Sequence, residues 1–191
     1  MSKKNRGWNA EKILSISAIS ISFITLLIFV YQTNLLVNQT KLLSEQNYLS
    51  ILPYLAISTS SNAEKSFFEL SIQNQGVGPA IIESVIFFYE GQQYDLADFE
   101  DSIYTFIRSK SPEMDSIKHF SVSTLNKGLA IPANTNYHLI SVENHPKEYL
   151  LINKILNQLS ENGLRYEITY KSIQKERWRI HNDSQEPEEL K

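Results

Sequence analysis

Seven residues, Asn74-Gln75-Gly76-Val77-Gly78-Pro79-Ala80, come closest to a ligand-binding signature in this chain. Glycines spaced in this way could bring backbone amides against a phosphate, as in the first half of a dinucleotide fingerprint. The third glycine and the helix that must follow it are missing, and Ile81 and Ile82 come next, which reads as strand. The segment therefore predicts a structural turn of Asn74, Gly76, Gly78 and Pro79, in which the two glycines take φ above zero and the Asn74 amide bonds the loop backbone. His119, His138, His145 and His181 show no spacing of the H-E-x-x-H kind, and each reads as a surface or strand-edge histidine. Asp95, Asp98, Glu100 and Asp101 could gather calcium, but they lack the D-x-D-x-D-G order and read as acids at a helix start. No G-x-S-x-G elbow is present, and the absence of cysteine removes thiol nucleophiles, thiolate metal sites and disulfides. On these residues the chain is expected to be no enzyme and to carry neither cofactor nor metal.

Charge narrows the partners. The formal net charge is -3 and the lysines and arginines of the C-terminal part are scattered, so nothing attracts a phosphate backbone and nucleic acid is not expected as a partner. A chain without cysteine suits a reducing cytoplasm and an oxidising exterior equally.

The elements that must carry any function begin with an anchor. From Ile13 to Tyr31 no residue is charged, and at about 1.5 Å per residue the stretch matches a hydrocarbon core of about 30 Å. Ile13, Leu14, Ile16, Ile19, Phe23, Leu26, Leu27, Phe29, Val30 and Tyr31 supply the apolar surface, for an insertion free energy on the order of -5 kcal/mol before the serines and Thr25 reduce it. Phe29-Val30-Tyr31-Gln32-Thr33 offers no small-residue cleavage site, which favours a retained anchor over a signal peptide. Lys3, Lys4, Arg6 and Lys12 flank the N-terminal side, whereas the next basic residue is Lys41, so the positive-inside rule puts residues 1–12 in the cytoplasm and the C-terminal domain outside. Trp8 and Tyr31 fall at the two interfaces. Ser15, Ala18, Ser22 and Thr25 share one helix face, which is either a seam for a second helix or small residues merely tolerated. Over residues 32–52 Leu35, Leu42 and Leu49 recur every seven residues, predicting a helical stalk that Pro53 ends. The stripe suits either self-association or packing against the domain.

Residues 53–181 read as one β-rich domain of about 130 residues. Strands are expected at Tyr54–Ser58, around Phe68–Ile72, at Ile81–Tyr89 with a return at Tyr94, at His119–Leu125 and at Asn136–Val142. A closing hairpin puts Tyr166, Ile168, Tyr170, Trp178 and Ile180 inward. Helices are expected over Ala97–Ile107 and Lys147–Leu159. Seven or so strands without regular β-α alternation indicate an antiparallel immunoglobulin-like sandwich with one or two inserted helices. Residues 182–191 are polar and read as a disordered tail.

In this layout, with N-x-G-x-G-P-A at Asn74–Ala80 and Y-x-I-x-Y at Tyr166–Tyr170, the chain resembles uncharacterised bacterial single-pass membrane proteins with an N-terminal anchor, a short helical stalk and a small β-sandwich. The resemblance implies architecture and a place in the bacterial inner (cell) membrane, and no activity. Other members often carry glycine in the final hairpin turn, where this chain has Gln174 and Lys175. The expected function is a membrane-anchored protein-interaction module that binds the lipid bilayer and a protein partner or a second copy. The alternative is a ligand-sensing or accessory subunit of a membrane-associated defence or toxin system, with a small molecule held near Phe99–Phe106.

Overall fold

The computed structural model describes residues 9–184 and 186–190. Lys3, Lys4, Arg6 and Trp8, on which the orientation and one interface of the anchor rest, lie outside the described residues. The chain divides into two compact units, Met1–Tyr48 and Leu49–Lys191.

The first unit is carried by one helix, α1 (Ala10–Leu49), long and apolar enough to cross a membrane. Its 40 residues span about 60 Å, twice the thickness of a hydrocarbon core, so anchor and stalk form one rod with no break at Tyr31. The helix stops at Leu49, short of the expected end just before Pro53, and Ser50 and Ile51 turn out of it. Most of the hydroxyls inside the span bond within the helix. Ser17 donates to the Ile13 carbonyl at 2.9 Å, Ser22 to Ala18 at 2.8 Å and Thr25 to Ile21 at 2.8 Å, which removes much of the cost of placing them in lipid.

The second unit contains ten strands among the described residues, three of them only two or three residues long, against seven or so expected. β1 (Leu55–Asn62), β2 (Phe67–Asn74), β3 (Ala80–Tyr89) and β4 (Gln92–Asp95) come first; then α2 (Ile103–Lys110), β5 (Ser121–Val122), β6 (Ala130–Ile131) and β7 (Thr135–Val142). α3 (Pro146–Glu161), β8 (Arg165–Lys171), β9 (Arg177–His181) and β10 (Glu188–Leu190) complete the unit. One sheet has the order β1-β2-β7-β5 and the other β10-β9-β8-β3-β4, with β6 beside β3. Every pairing is antiparallel. Leu55, Phe68 and Ile72 of the first sheet and Ile82, Val85, Ile168 and Tyr170 of the second belong to one core. The closing hairpin is as expected, with Ile168, Tyr170, Trp178 and Ile180 buried and Tyr166 partly so.

Several elements depart from the periodicity. The β2–β7 ladder slips at Leu70/Ser71, where Leu139 of β7 is the extra residue, and β3 bulges between Ile82 and Ser84, so buried positions shift phase: Leu139 and Ile140 are both buried in β7, and in β3 the inward set changes from Ala80 and Ile82 to Val85, Phe87 and Tyr89. The helix expected over Ala97–Ile107 is two pieces, a 3-10 turn at Leu96–Phe99 and α2. Glu100 and Asp101 lie between them in the left-handed region, at φ of 58° and 55°, where no right-handed helix continues; Ser102 then caps α2 by accepting from the Thr105 N–H. The strand expected over His119–Leu125 is only β5. The tail expected to be disordered instead contributes β10, in which Glu188 pairs with Arg179 and Leu190 with Arg177.

Candidate functional site

The turn that ends β2 is built around one amide. The Asn74 Oδ1 accepts from the backbone N–H of Tyr54 at 3.1 Å and of Gly76 at 3.0 Å. Its Nδ2 donates to the carbonyls of Gly78 at 2.8 Å and Ile131 at 3.0 Å. All four hydrogen-bonding positions of this buried side chain are thus filled, as a low-dielectric setting demands. Gly76 and Gly78 have negative or extended φ, so the expectation that they provide φ above zero is wrong. They are needed because backbone passes over them: a Cβ on Gly76 would meet the Leu52 oxygen at 2.3 Å, and one on Gly78 would meet the Ile51 oxygen at 1.9 Å. The motif is a buried crossing of chain segments, with no room left for a phosphate.

The position near Phe99–Phe106, where the alternative reading put a ligand, is filled with side chains. Phe106 is fully buried, stacks on Phe87 at 4.4 Å between centroids and meets Phe99 edge-on at 5.2 Å; the Lys110 ammonium lies 3.6 Å from the centroid of Tyr94. An open cleft of about 540 Å³ lies elsewhere, lined by Arg165, Tyr166, Glu167, Arg179, His181 and Asp183 among others. Two of its charged groups are paired: Arg179 reaches Glu167 at 3.4 Å and Glu188, outside the lining, at 2.8 Å, and His181 reaches Glu188 at 3.1 Å. The Arg179 and His181 hydrogen bonds hold the Glu188 carboxyl below its ordinary range.

The sheet edges differ in how open they are. β1 runs eight residues along the edge of its sheet, and LAISTSSN contains no charge and no proline. β5 at the opposite edge has two residues, and the second sheet ends in β4 (QQYD) and β10 (EEL). The Tyr54 carbonyl accepts from Gln75 at 2.8 Å, while the next N–H, of Leu55, turns away to the Tyr170 hydroxyl at 3.3 Å. Continuing that alternation, Ile57, Thr59 and Ser61 direct their backbone groups away from β2. Burial pushes the Tyr170 phenol well above its usual range, which keeps it a neutral hydrogen-bonding strut between the sheets.

Three of the four histidines pair with a glutamate: His119 with Glu148 at 3.0 Å, His138 with Glu69 at 2.8 Å and His181 with Glu188 at 3.1 Å. The first pair differs from the others because His145 joins it, its ring stacked on that of His119 at 3.8 Å and 13°. The Glu148 carboxylate also accepts the His119 backbone N–H at 2.8 Å. Burial raises the Glu148 pKa, and the hydrogen bonds from His119 and from the Lys118 backbone outweigh it, so the carboxyl is held below its usual range. Sequence spacing missed this group because 26 residues separate the two histidines. The available signal was His145-Pro146-Lys147-Glu148, an i,i+3 pair on the first turn of a proline-started helix. Among the described residues, the metal-ligand side chains that converge are His119, His145 and Glu148, and not the acids at Asp95–Asp101.

No protein family, curated protein or solved structure matches this chain.

Proposed function

We propose that this chain is a single-pass, membrane-anchored, non-enzymatic interaction module of a bacterial cell membrane. In this reading the N-terminus is cytoplasmic, and outside lies an immunoglobulin-like sandwich whose free β1 edge takes an extended segment of a partner protein. The carrying observation is that edge. Natural sheets blunt exposed edges with charge, proline or brevity; β1 has none of these, whereas β4, β5 and β10 are short and two of them are acidic. An unpaired strand with outward N–H and C=O groups is a template for strand addition, in which the main chain gives affinity and alternate side chains give specificity. A groove of about 290 Å³ runs beside it, lined by Ala56, Ile57, Tyr166, Ile180 and Glu186 among others.

The tether supports the same reading. Tyr31, Phe29 and Leu14 are well exposed on α1, the state of a helix whose solvent is lipid. Self-association through Ser15, Ala18, Ser22 and Thr25 and through Leu35, Leu42 and Leu49 would add avidity to the edge contact.

The test is a photo-crosslinking residue at Thr59 in the full chain in native membranes, beside the same residue at Ile173, an exposed position in the turn between β8 and β9. A protein adduct from the first site and none from the second is expected, and Thr59→Pro should abolish it, since this substitution removes an outward N–H and leaves the bonds to β2 intact. Recovery of neither a partner nor a self-adduct from Thr59 would overturn the proposal.

A further inference from the structure

We propose that His119, His145 and Glu148 form a binding site for one divalent transition-metal ion of the zinc class. Two imidazoles and a carboxylate are the donor set of an open zinc site, in which water fills the fourth position. Hard cations such as calcium take oxygen donors and are disfavoured by the two nitrogens.

The three ligands are delivered by independent structural devices. Pro146 starts α3, and His145 and Glu148 stand on the same face of its first turn, three residues apart. His145 is the N-cap residue, yet its side chain makes no capping bond, so the ring is available for other use. His119 comes from the loop after the 3-10 turn Pro112–Ser116 and is pinned by its own backbone N–H, which donates to Glu148 at 2.8 Å. One ligand atom from each residue lies within 4.8 Å of the other two. Metal–ligand bonds of about 2.0–2.1 Å in a tetrahedron need these atoms about 3.4 Å apart, so each must move inward by less than about 1 Å, and the two rings must rotate out of their parallel stack so that both in-plane lone pairs meet at one ion. The His119 side chain is 60% exposed, which leaves an entry path and a place for water.

A second imidazole beside the carboxylate distinguishes this group from the other histidine–glutamate pairs. His138–Glu69 and His181–Glu188 each have one imidazole, and they serve as internal controls. An ion here would tie the loop around His119 to α3, two segments distant in sequence, and so would raise stability by mass action.

The tag-free full chain in detergent micelles, stripped with chelator, is titrated with Co²⁺ and Zn²⁺ and followed by calorimetry, visible absorption and thermal unfolding. The expected result is one ion per chain, the intense visible bands of four-coordinate cobalt and a rise in Tm. His145→Ala and Glu148→Gln should each weaken binding by about tenfold or more, and His138→Ala should leave it unchanged. Circular dichroism of each variant separates loss of a ligand from loss of fold. No saturable binding in the micromolar range would overturn the site, as would binding that survives both ligand substitutions in folded protein or is weakened equally by His138→Ala.

Discussion

Two polar clusters of the second unit stand in contrast. Around Asn74 every donor and acceptor of a buried amide has its partner, and backbone crosses so closely that neighbouring positions must be glycine. Around Glu148 the side chains are partly exposed, one imidazole stacks on another, and His145 makes no capping bond. A completed, dry cluster is committed to the fold, because any change leaves a desolvated group unpaired. An incomplete, wet cluster costs little to alter and keeps coordination capacity for something else. The motif that most resembles a ligand site in sequence is therefore structural, and the residues that resemble ordinary surface histidines retain unused donors.

The largest expected effect is at Gly78. Alanine there would place its Cβ 1.9 Å from the Ile51 carbonyl oxygen, and neither backbone segment can give way without loosening the Asn74 bonds. Destabilisation of about 4 kcal/mol or more is expected for Gly78→Ala in urea denaturation of the micelle-held chain. Gly91→Ala tests the cause: φ is +75° but nothing lies within 4 Å, so only the left-handed penalty of about 1–2 kcal/mol should appear. Equal costs at the two sites would refute close approach as the reason for Gly78. Next comes Asn74→Ala, which orphans two N–H and two C=O groups and should cost about 3 kcal/mol. Asn74→Asp is sharper still, since it keeps both accepted bonds but points a carboxylate oxygen at the Gly78 and Ile131 carbonyls. It should be as damaging as alanine near neutrality and partly recover in acid, where the protonated carboxyl donates one bond.

The same contrast explains what could be read from residues alone. Alternation in β8 and β9 is undisturbed, so Ile168, Tyr170, Trp178 and Ile180 declare their inward face directly. The apolar run from Ile13 to Tyr31 likewise announces a helix fit for lipid. Bulges in β7 and β3 insert one residue and shift the phase of the positions beyond it, which no period-two pattern anticipates. Glu100 and Asp101 look like helix formers, and only the backbone reversal held by bonds such as the Leu125 N–H to the Asp101 carbonyl, at 2.7 Å, puts them in the left-handed region. For Gly76 and Gly78 the residue type was informative but its cause was hidden, because the crossing segment, Ile51–Leu52, lies more than twenty residues away. The meeting of His119 with His145 is legible only once the loop before β5 is laid over the start of α3.

A third cluster provides an intermediate case. Glu83, which the β3 bulge leaves partly exposed, reaches Lys171 at 3.0 Å and Arg177 at 2.6 Å. Burial pushes its carboxyl up, but hydrogen bonds and charge from Lys171 and Arg177 prevail and hold it below the ordinary glutamate range. A depressed folded-state pKa stabilises above the unfolded pKa and loses that contribution as pH falls through the folded value. Glu83→Gln should therefore cost less than about 1 kcal/mol at neutral pH, because the partners are wet. The deficit should vanish below the carboxylate range; if it persists there, packing and not charge holds β3, β8 and β9 together at this point.

The smallest expected effect is the most telling for the contrast. His145→Ala in the metal-stripped chain removes a partly exposed ring that caps no backbone group, and stability should change by no more than about 0.5 kcal/mol. With Zn²⁺ present the same pair of proteins should separate, since only the parent gains binding free energy in the folded state. A residue whose removal is silent alone and costly with the ion is a ligand, whereas one whose removal is costly in both conditions belongs with Asn74. A loss of 2 kcal/mol or so in the stripped His145→Ala chain would place the imidazole pair among the committed, structural clusters and erase the distinction between the two sites.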